Sequence, residues 1–151
     1  MSLLLLNAGA TWFMTGLIWF VQVVHYPLFA TVGPERFAAY HDAHRRRTTW
    51  VVLPVMSLEL LTAVALAWYP PAAVPPAAAW LGLALVLIVW TSTAVLQVPG
   101  HTRLATRYED TTARALTIGN WVRTAAWSAR AGLLLGMIGA AAGGDAWPLA
   151  S

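Results

Sequence analysis

Residues 48–69 read TTWVVLPVMSLELLTAVALAWY, an apolar run whose one formal charge is Glu59 and whose one helix-breaking residue is Pro54. A helix needs roughly 20 mostly apolar residues to cross the hydrocarbon core of a bilayer, so this stretch has the length of a span. Three further runs of that kind flank it: Leu3 to Phe29, Ala77 to Val98 and Trp121 to Ala142. The first carries no charge, is too long for a secretory h-region and lacks a basic n-region, so it reads as a retained helix. Pro70, Pro71, Pro75 and Pro76 give a tight uncharged connection between helices two and three, while Pro27 and Pro99 mark the ends of helices one and three. The sequence predicts a single all-α domain, an integral membrane four-helix up-and-down bundle.

Composition agrees. Of 151 residues, 59% are hydrophobic and 10% are charged, against about a quarter charged in a typical soluble domain. There is no cysteine, which excludes disulfides, thiolate metal ligands, iron–sulfur clusters and thiol nucleophiles. The net charge of +3 does not point to nucleic acid. All nine basic residues are arginine, and most fall in two loops between apolar runs, where they read as topology signals. One loop, Thr31 to Thr49, holds Arg36, Arg45, Arg46 and Arg47, and the other, Gly100 to Asn120, holds Arg103, Arg107 and Arg114. The positive-inside rule then places both loops in the cytoplasm and both termini outside, in an inner or plasma membrane. Pro34 to Arg47 has the pattern of a short amphipathic helix within the first cytoplasmic loop, and Thr102 to Ile118 can extend helices three and four. Trp12, Trp50, Trp68, Trp80 and Trp121 are expected near helix ends as interfacial anchors.

Polar residues inside the spans keep to faces. Asn7, Thr11, Thr15, Gln22 and His25 share one side of helix one, and Glu59 and Thr62 share a face of helix two. Trp90, Gln97 and His101 line helix three, and Asn120, Arg123, Trp127 and Arg130 line helix four. Lipid cannot solvate such stripes, so they are expected to point into the bundle. Glu59 lies about ten residues from the arginine-rich end, roughly 15 Å at the helical rise, and Arg130 lies at nearly the same depth. An isolated charge there costs at least ~2.5 kcal/mol, so the two are expected to pair. The pair can be an internal staple, or its carboxylate can relay protons.

His25, His41, His44 and His101 all fall at one membrane face. The spacing of His41 and His44 puts two imidazoles on neighbouring turns of a helix, where they can share a transition metal, copper, iron or zinc, with His25 or His101 completing the set. Haem held by two histidines is a variant. No E-x-x-H pattern accompanies them, which disfavours a ferritin-type di-iron centre. Gly132, Gly136 and Gly139 are expected to let a neighbouring helix approach helix four.

With Gln97-Val98-Pro99-Gly100-His101 closing helix three and Asn120-Trp121-Val122-Arg123-Thr124 opening helix four, the chain resembles the small anthrone-oxygenase-like membrane proteins. That resemblance implies a membrane-embedded oxidoreductase acting on an apolar substrate, and it carries over Gln97, His101, Asn120 and Arg123. The first functional reading is therefore an enzyme with metal on the histidines. In it Glu59, Gln97, Asn120, Arg123 and Arg130 supply hydrogen bonds and proton transfer. The second is a small proton-coupled transporter, with Glu59 as the titrating group and a homo-oligomer, in particular a dimer, forming the pathway. The third is an accessory subunit whose polar interior is glue.

Overall fold

The computed structural model describes residues 1–143; residues 144–151, expected on the same side as the N-terminus, lie outside the described residues. Four helical rods follow one another: α1 (Ser2–Thr31), α2 (Pro34–Trp68), α3 (Pro76–Thr106) and α4 (Asp110–Ala141). There is no strand among the described residues. α1 packs on α2 and α4, and α3 packs on α2 and α4, which closes the bundle. The proline connection lies at the end where α1 begins, and the histidines lie at the other.

Three rods, α1, α2 and α3, are long and apolar enough to cross a membrane. α4 has the length, 32 residues, but does not share that apolarity. Arg123 and Arg130 interrupt its run, and both are buried. The outer surface is inverted relative to a soluble protein: Phe13, Phe20, Leu61, Ile118 and Leu135 are exposed, while Asn7, Thr11, Glu59, Asn120 and Arg130 are buried. Trp50, Trp68, Trp80 and Trp121 sit on this apolar surface. Trp12 is exposed but stands midway along α1, where its indole N–H donates to the Ala131 carbonyl at 3.4 Å.

The amphipathic segment is not a separate loop helix. Pro34 to Trp68 is one continuous helix of 35 residues. The expected boundary at Thr48 followed a change in polarity, and polarity does not break a helix. No glycine or proline falls between Phe37 and Leu53; Pro34 occupies the first turn, where its missing N–H costs nothing.

Pro27 and Pro99 do not end their helices either. α1 changes from α-helix to a π turn at Val21–His25 and finishes as a 3₁₀ turn at Pro27–Thr31. α3 has the same device at Thr93–Gln97 and continues as α-helix through Pro99 to Thr106. The bonds that define the wide turns run five residues back, from Tyr26 N–H to the Val21 carbonyl and from Val98 N–H to the Thr93 carbonyl. A helical proline clashes with the carbonyl four residues earlier. For Pro27 and Pro99 those residues are Val23 and Val95, each inside a π turn that swings its carbonyl aside. The chain therefore stays helical beyond each proline.

Close helix approach is made by Gly82 and Gly100 rather than by Gly132 and Gly139 of the α4 stripe. A Cβ on Gly82 would stand 2.8 Å from Arg130 Nη1, and one on Gly100 would stand 2.8 Å from Leu116 Cδ1, whereas Gly132 and Gly139 face open space. The Arg130 guanidinium is fixed by several hydrogen bonds and cannot yield. Gly82→Ala is expected to lower the thermal midpoint of the detergent-solubilised protein. Gly132→Ala is expected to leave it unchanged or raise it, since alanine gains up to ~1 kcal/mol over glycine in a helix. A destabilising Gly132→Ala would mean that this face is covered.

Candidate functional site

Glu59 and Arg130 meet as a buried pair, Arg130 Nε donating to Glu59 Oε1 at 3.1 Å with both side chains 2% exposed or less. The pair is completely dressed. Thr11 donates its hydroxyl to Oε1 at 2.6 Å, and Trp127 donates its indole N–H to Oε2 at 2.9 Å. Arg130 Nε also reaches Thr11 Oγ1 at 3.2 Å, Nη2 donates to Asn7 Oδ1 at 2.7 Å, and Nη1 donates to the Gly82 carbonyl. Asn7 Nδ2 returns to the Glu59 carbonyl at 3.0 Å and to Thr62 Oγ1 at 2.7 Å. Every rod contributes: α1 through Asn7 and Thr11, α2 through Glu59, α3 through Gly82, α4 through Arg130 and Trp127. Each charge is met by its counter-charge and by neutral partners, the condition under which a buried ion pair is tolerable.

The second cluster is at the far end, where the two π turns set the residues. Tyr26 donates its hydroxyl to Gln97 Oε1 at 3.1 Å and lies 3.0 Å from His101 Nε2. His101 Nδ1 lies 3.0 Å from His41 Nε2. In the tautomer set by a tyrosine proton directed to Gln97, His101 Nε2 carries hydrogen and donates to the Tyr26 oxygen, which leaves Nδ1 bare to accept from His41 Nε2. His41 Nδ1 is then a lone pair, and it is buried with no partner. The other pair is His25 Nε2 with His44 Nδ1 at 2.8 Å, and Thr48 Oγ1 lies 3.1 Å from the same Nδ1. Phe29 and Phe37 close the cluster from outside, with Phe37 stacked on His41. All four expected histidines are brought together. Ring centroids are 4.4 Å apart for His25 and His44, 5.2 Å for His41 and His101, and 5.8 Å for His44 and His101.

Proximity is not coordination. Among the described residues no three His, Asp or Glu side chains converge as metal ligands do. Ring nitrogens are turned on one another in two pairs, His41 Nε2 with His101 Nδ1 and His25 Nε2 with His44 Nδ1, and the remaining nitrogens do not meet at a common centre. A metal with ~2.0–2.1 Å bonds to imidazole does not fit the rings as they stand.

Arg123, Asn120 and Gln22 form a third chain beside the histidines. Arg123 Nη1 donates to Asn120 Oδ1 at 3.3 Å, Asn120 Nδ2 donates to Gln22 Oε1 at 2.9 Å, and Gln22 Nε2 donates to the Thr117 carbonyl at 3.1 Å. The guanidinium also lies over the Trp127 ring, 5.2 Å from its centroid. A cavity of about 240 Å³ opens between the rods here. Its deep wall is apolar, with Met14, Ile18 and Val52, and its other end is polar, with Tyr26, His44, Gln97, His101 and Arg123. Exposed Arg45, Thr49, Val98 and Thr102 form a mouth between α2 and α3.

Of the residues singled out from the sequence, Gln97, His44, His101 and Arg123 line the cavity, whereas Glu59 and Arg130 do not. Asn120 stands behind Arg123, and His25 and His41 stand behind His44 and His101. Sequence reasoning missed Tyr26, although its i+4 spacing from the inward Gln22 puts it on the same stripe. It also missed Gly82, whose part is a carbonyl and leaves no side-chain signal. No protein-family model, no curated protein and no solved structure matches this chain.

The geometry of the Glu59–Arg130 pair generates a double-mutant cycle. Glu59→Leu or Arg130→Leu alone is expected to cost about 3–5 kcal/mol by stranding a buried charge. The double variant should cost less than the sum. Reversible denaturation in mixed micelles measures this, and additive losses would count against the staple.

Proposed function

We propose that the protein is a membrane-embedded oxidoreductase of oxygenase type, with its arginine-rich end in the cytoplasm, acting on an apolar small molecule. The observation that carries the reading is the cavity itself, apolar at depth and ending on hydrogen-bonded imidazoles, a phenol, an amide and a guanidinium. Its mouth between α2 and α3 lies at the level of the arginine-rich end, suited to a substrate that partitions into the bilayer. A ligand site of this kind, mostly apolar with a few convergent polar groups, is the usual form of a substrate pocket.

His44 is the residue placed to act as base. It lines the cavity, and with its Nδ1 proton directed to His25 or Thr48 its Nε2 lone pair is available to a bound substrate. For an anthrone, removal of a proton from the methylene of the central ring leaves a carbanion conjugated through the flanking aromatic rings to the carbonyl opposite. Dioxygen adds to that carbon, and loss of water gives the quinone, so one dioxygen supplies both the oxidant and the new oxygen. His25, hydrogen-bonded to His44 Nδ1 and only half-buried, is the next group by which a proton can leave the site. Glu59 has all its carboxylate partners within the staple, which supports a structural role over the proton-coupled transport reading.

A second reading keeps copper, iron or zinc on the histidines. It is favoured by the partnerless His41 Nδ1, and it requires the imidazoles to give up their mutual hydrogen bonds. The cavity, at about 240 Å³, falls below the ~300–1,000 Å³ of drug-sized ligand sites, which argues against haem in this arrangement.

Oxygen uptake and quinone absorbance with anthrone, for the protein in lipid nanodiscs, test the first reading. Turnover that falls 10²–10⁴-fold in His44→Ala is the expected result for loss of a general base. Elemental analysis of the same preparation tests the second: a stoichiometric transition metal supports it. Absence of both turnover and metal would sink the enzyme reading in either form.

A further inference from the structure

α4 carries two buried arginines on one face, and only one of them has a counter-charge. Arg130 is paired with Glu59 at 3.1 Å. Arg123, only 7% exposed, has no acidic partner among the described residues: its contacts are neutral, Asn120 Oδ1 at 3.3 Å, the face of Trp127 and the Tyr26 hydroxyl. Its Nε is buried and without a hydrogen-bond partner. The same holds for Gln97 Nε2, because Gln97 spends its oxygen on the Tyr26 hydroxyl. Both side chains line the cavity, and no lining residue is acidic. Arg45 adds a further positive charge at the mouth.

A guanidinium excluded from water without an anion is costly, and a buried donor without an acceptor costs about 1–3 kcal/mol more. Two such donors, on side chains that both line one cavity, mark the place of a missing acceptor that carries negative charge. The apolar wall of Met14, Ile18 and Val52 sets the rest of the molecule.

We propose that the cavity is an oxyanion site: it binds the deprotonated head of an apolar acid, a carboxylate or phenolate, against Arg123 and Gln97, with the apolar body between α1 and α2. This rests on the functional reading above only in naming the charge state of what occupies the same cavity. Binding is measured without turnover, so either can fail alone. An anionic lipid headgroup offers the same chemistry as a free acid, and the bilayer composition separates the two.

The experiment is calorimetric titration of the full chain in phosphatidylcholine nanodiscs with 2-naphthoate and with the uncharged 2-naphthalenemethanol. The carboxylate is expected to bind saturably and at least tenfold more tightly than the alcohol, after subtraction of partitioning into empty nanodiscs. Gln97→Glu should abolish that binding, since it supplies the anion from within the chain. It should also raise the thermal midpoint, a gain that a merely packing role for Gln97 would not produce. Arg123→Gln should weaken binding at least tenfold; if it does not fold, Gln97→Glu and the alcohol comparison still decide. Loss of naphthoate binding on adding phosphatidylglycerol identifies the natural anion as a lipid headgroup, and unchanged binding identifies it as a free acid. Equal affinity for alcohol and carboxylate, no saturable carboxylate binding, or a Gln97→Glu variant that binds naphthoate normally would overturn the proposal.

Discussion

The Glu59–Arg130 pair is the constraint to which the rest of the bundle is fitted. Two charges at mid-depth in an apolar bundle persist only if each finds the other and every remaining donor and acceptor is met. Here that condition recruits Asn7 and Thr11 from α1, the Gly82 carbonyl from α3 and the Trp127 indole from α4. Each recruitment fixes one rod in rotation and height against the others. The apolar layer on one side, with Leu4, Leu66 and Leu134, and the layer on the other, with Met14, Val89 and Trp127, pack on helices whose register is already set.

The opposite end is organised by two wide turns. In a regular α-helix Pro27 and Pro99 would break or kink the rods. The π turns before them absorb the clash and shift the register of what precedes, which brings His25 to His44 and, on the facing rod, Gln97 to Tyr26. π bulges are frequent at functional sites because the extra residue re-aims side chains that an α-helix would hold on its own stripe. Both bulges border the cavity, and they place Tyr26, Gln97 and His101 at its polar end, opposite His44 and Arg123 from the other two rods.

Trp127 joins the two regions. Its indole N–H is tied to the fully satisfied carboxylate, and its ring face supports Arg123 at the cavity. The part of the bundle around the Glu59–Arg130 pair is thereby electrically closed, while the part towards the histidines keeps the Arg123 cation without a counter-charge and its Nε and Gln97 Nε2 without acceptors. That imbalance separates a structural polar interior from one shaped to receive a ligand.

The all-helical architecture was legible in the sequence because long apolar runs and one-sided polar stripes have few other solutions in a chain with 10% charged residues. The Glu59–Arg130 pairing was legible too, from depth alone. Helix ends were not: polarity suggested a break at Thr48 and proline suggested breaks at Pro27 and Pro99, yet backbone hydrogen bonding carries through all three. Residue types and spacing placed the four histidines at one end. Only the tertiary structure decided that their nitrogens face one another in pairs, that Tyr26 enters the chain, and that Arg123 is left without a counter-charge. Those outcomes depend on which lone pairs and protons meet across helices far apart in the chain, a relation that a one-dimensional pattern does not contain.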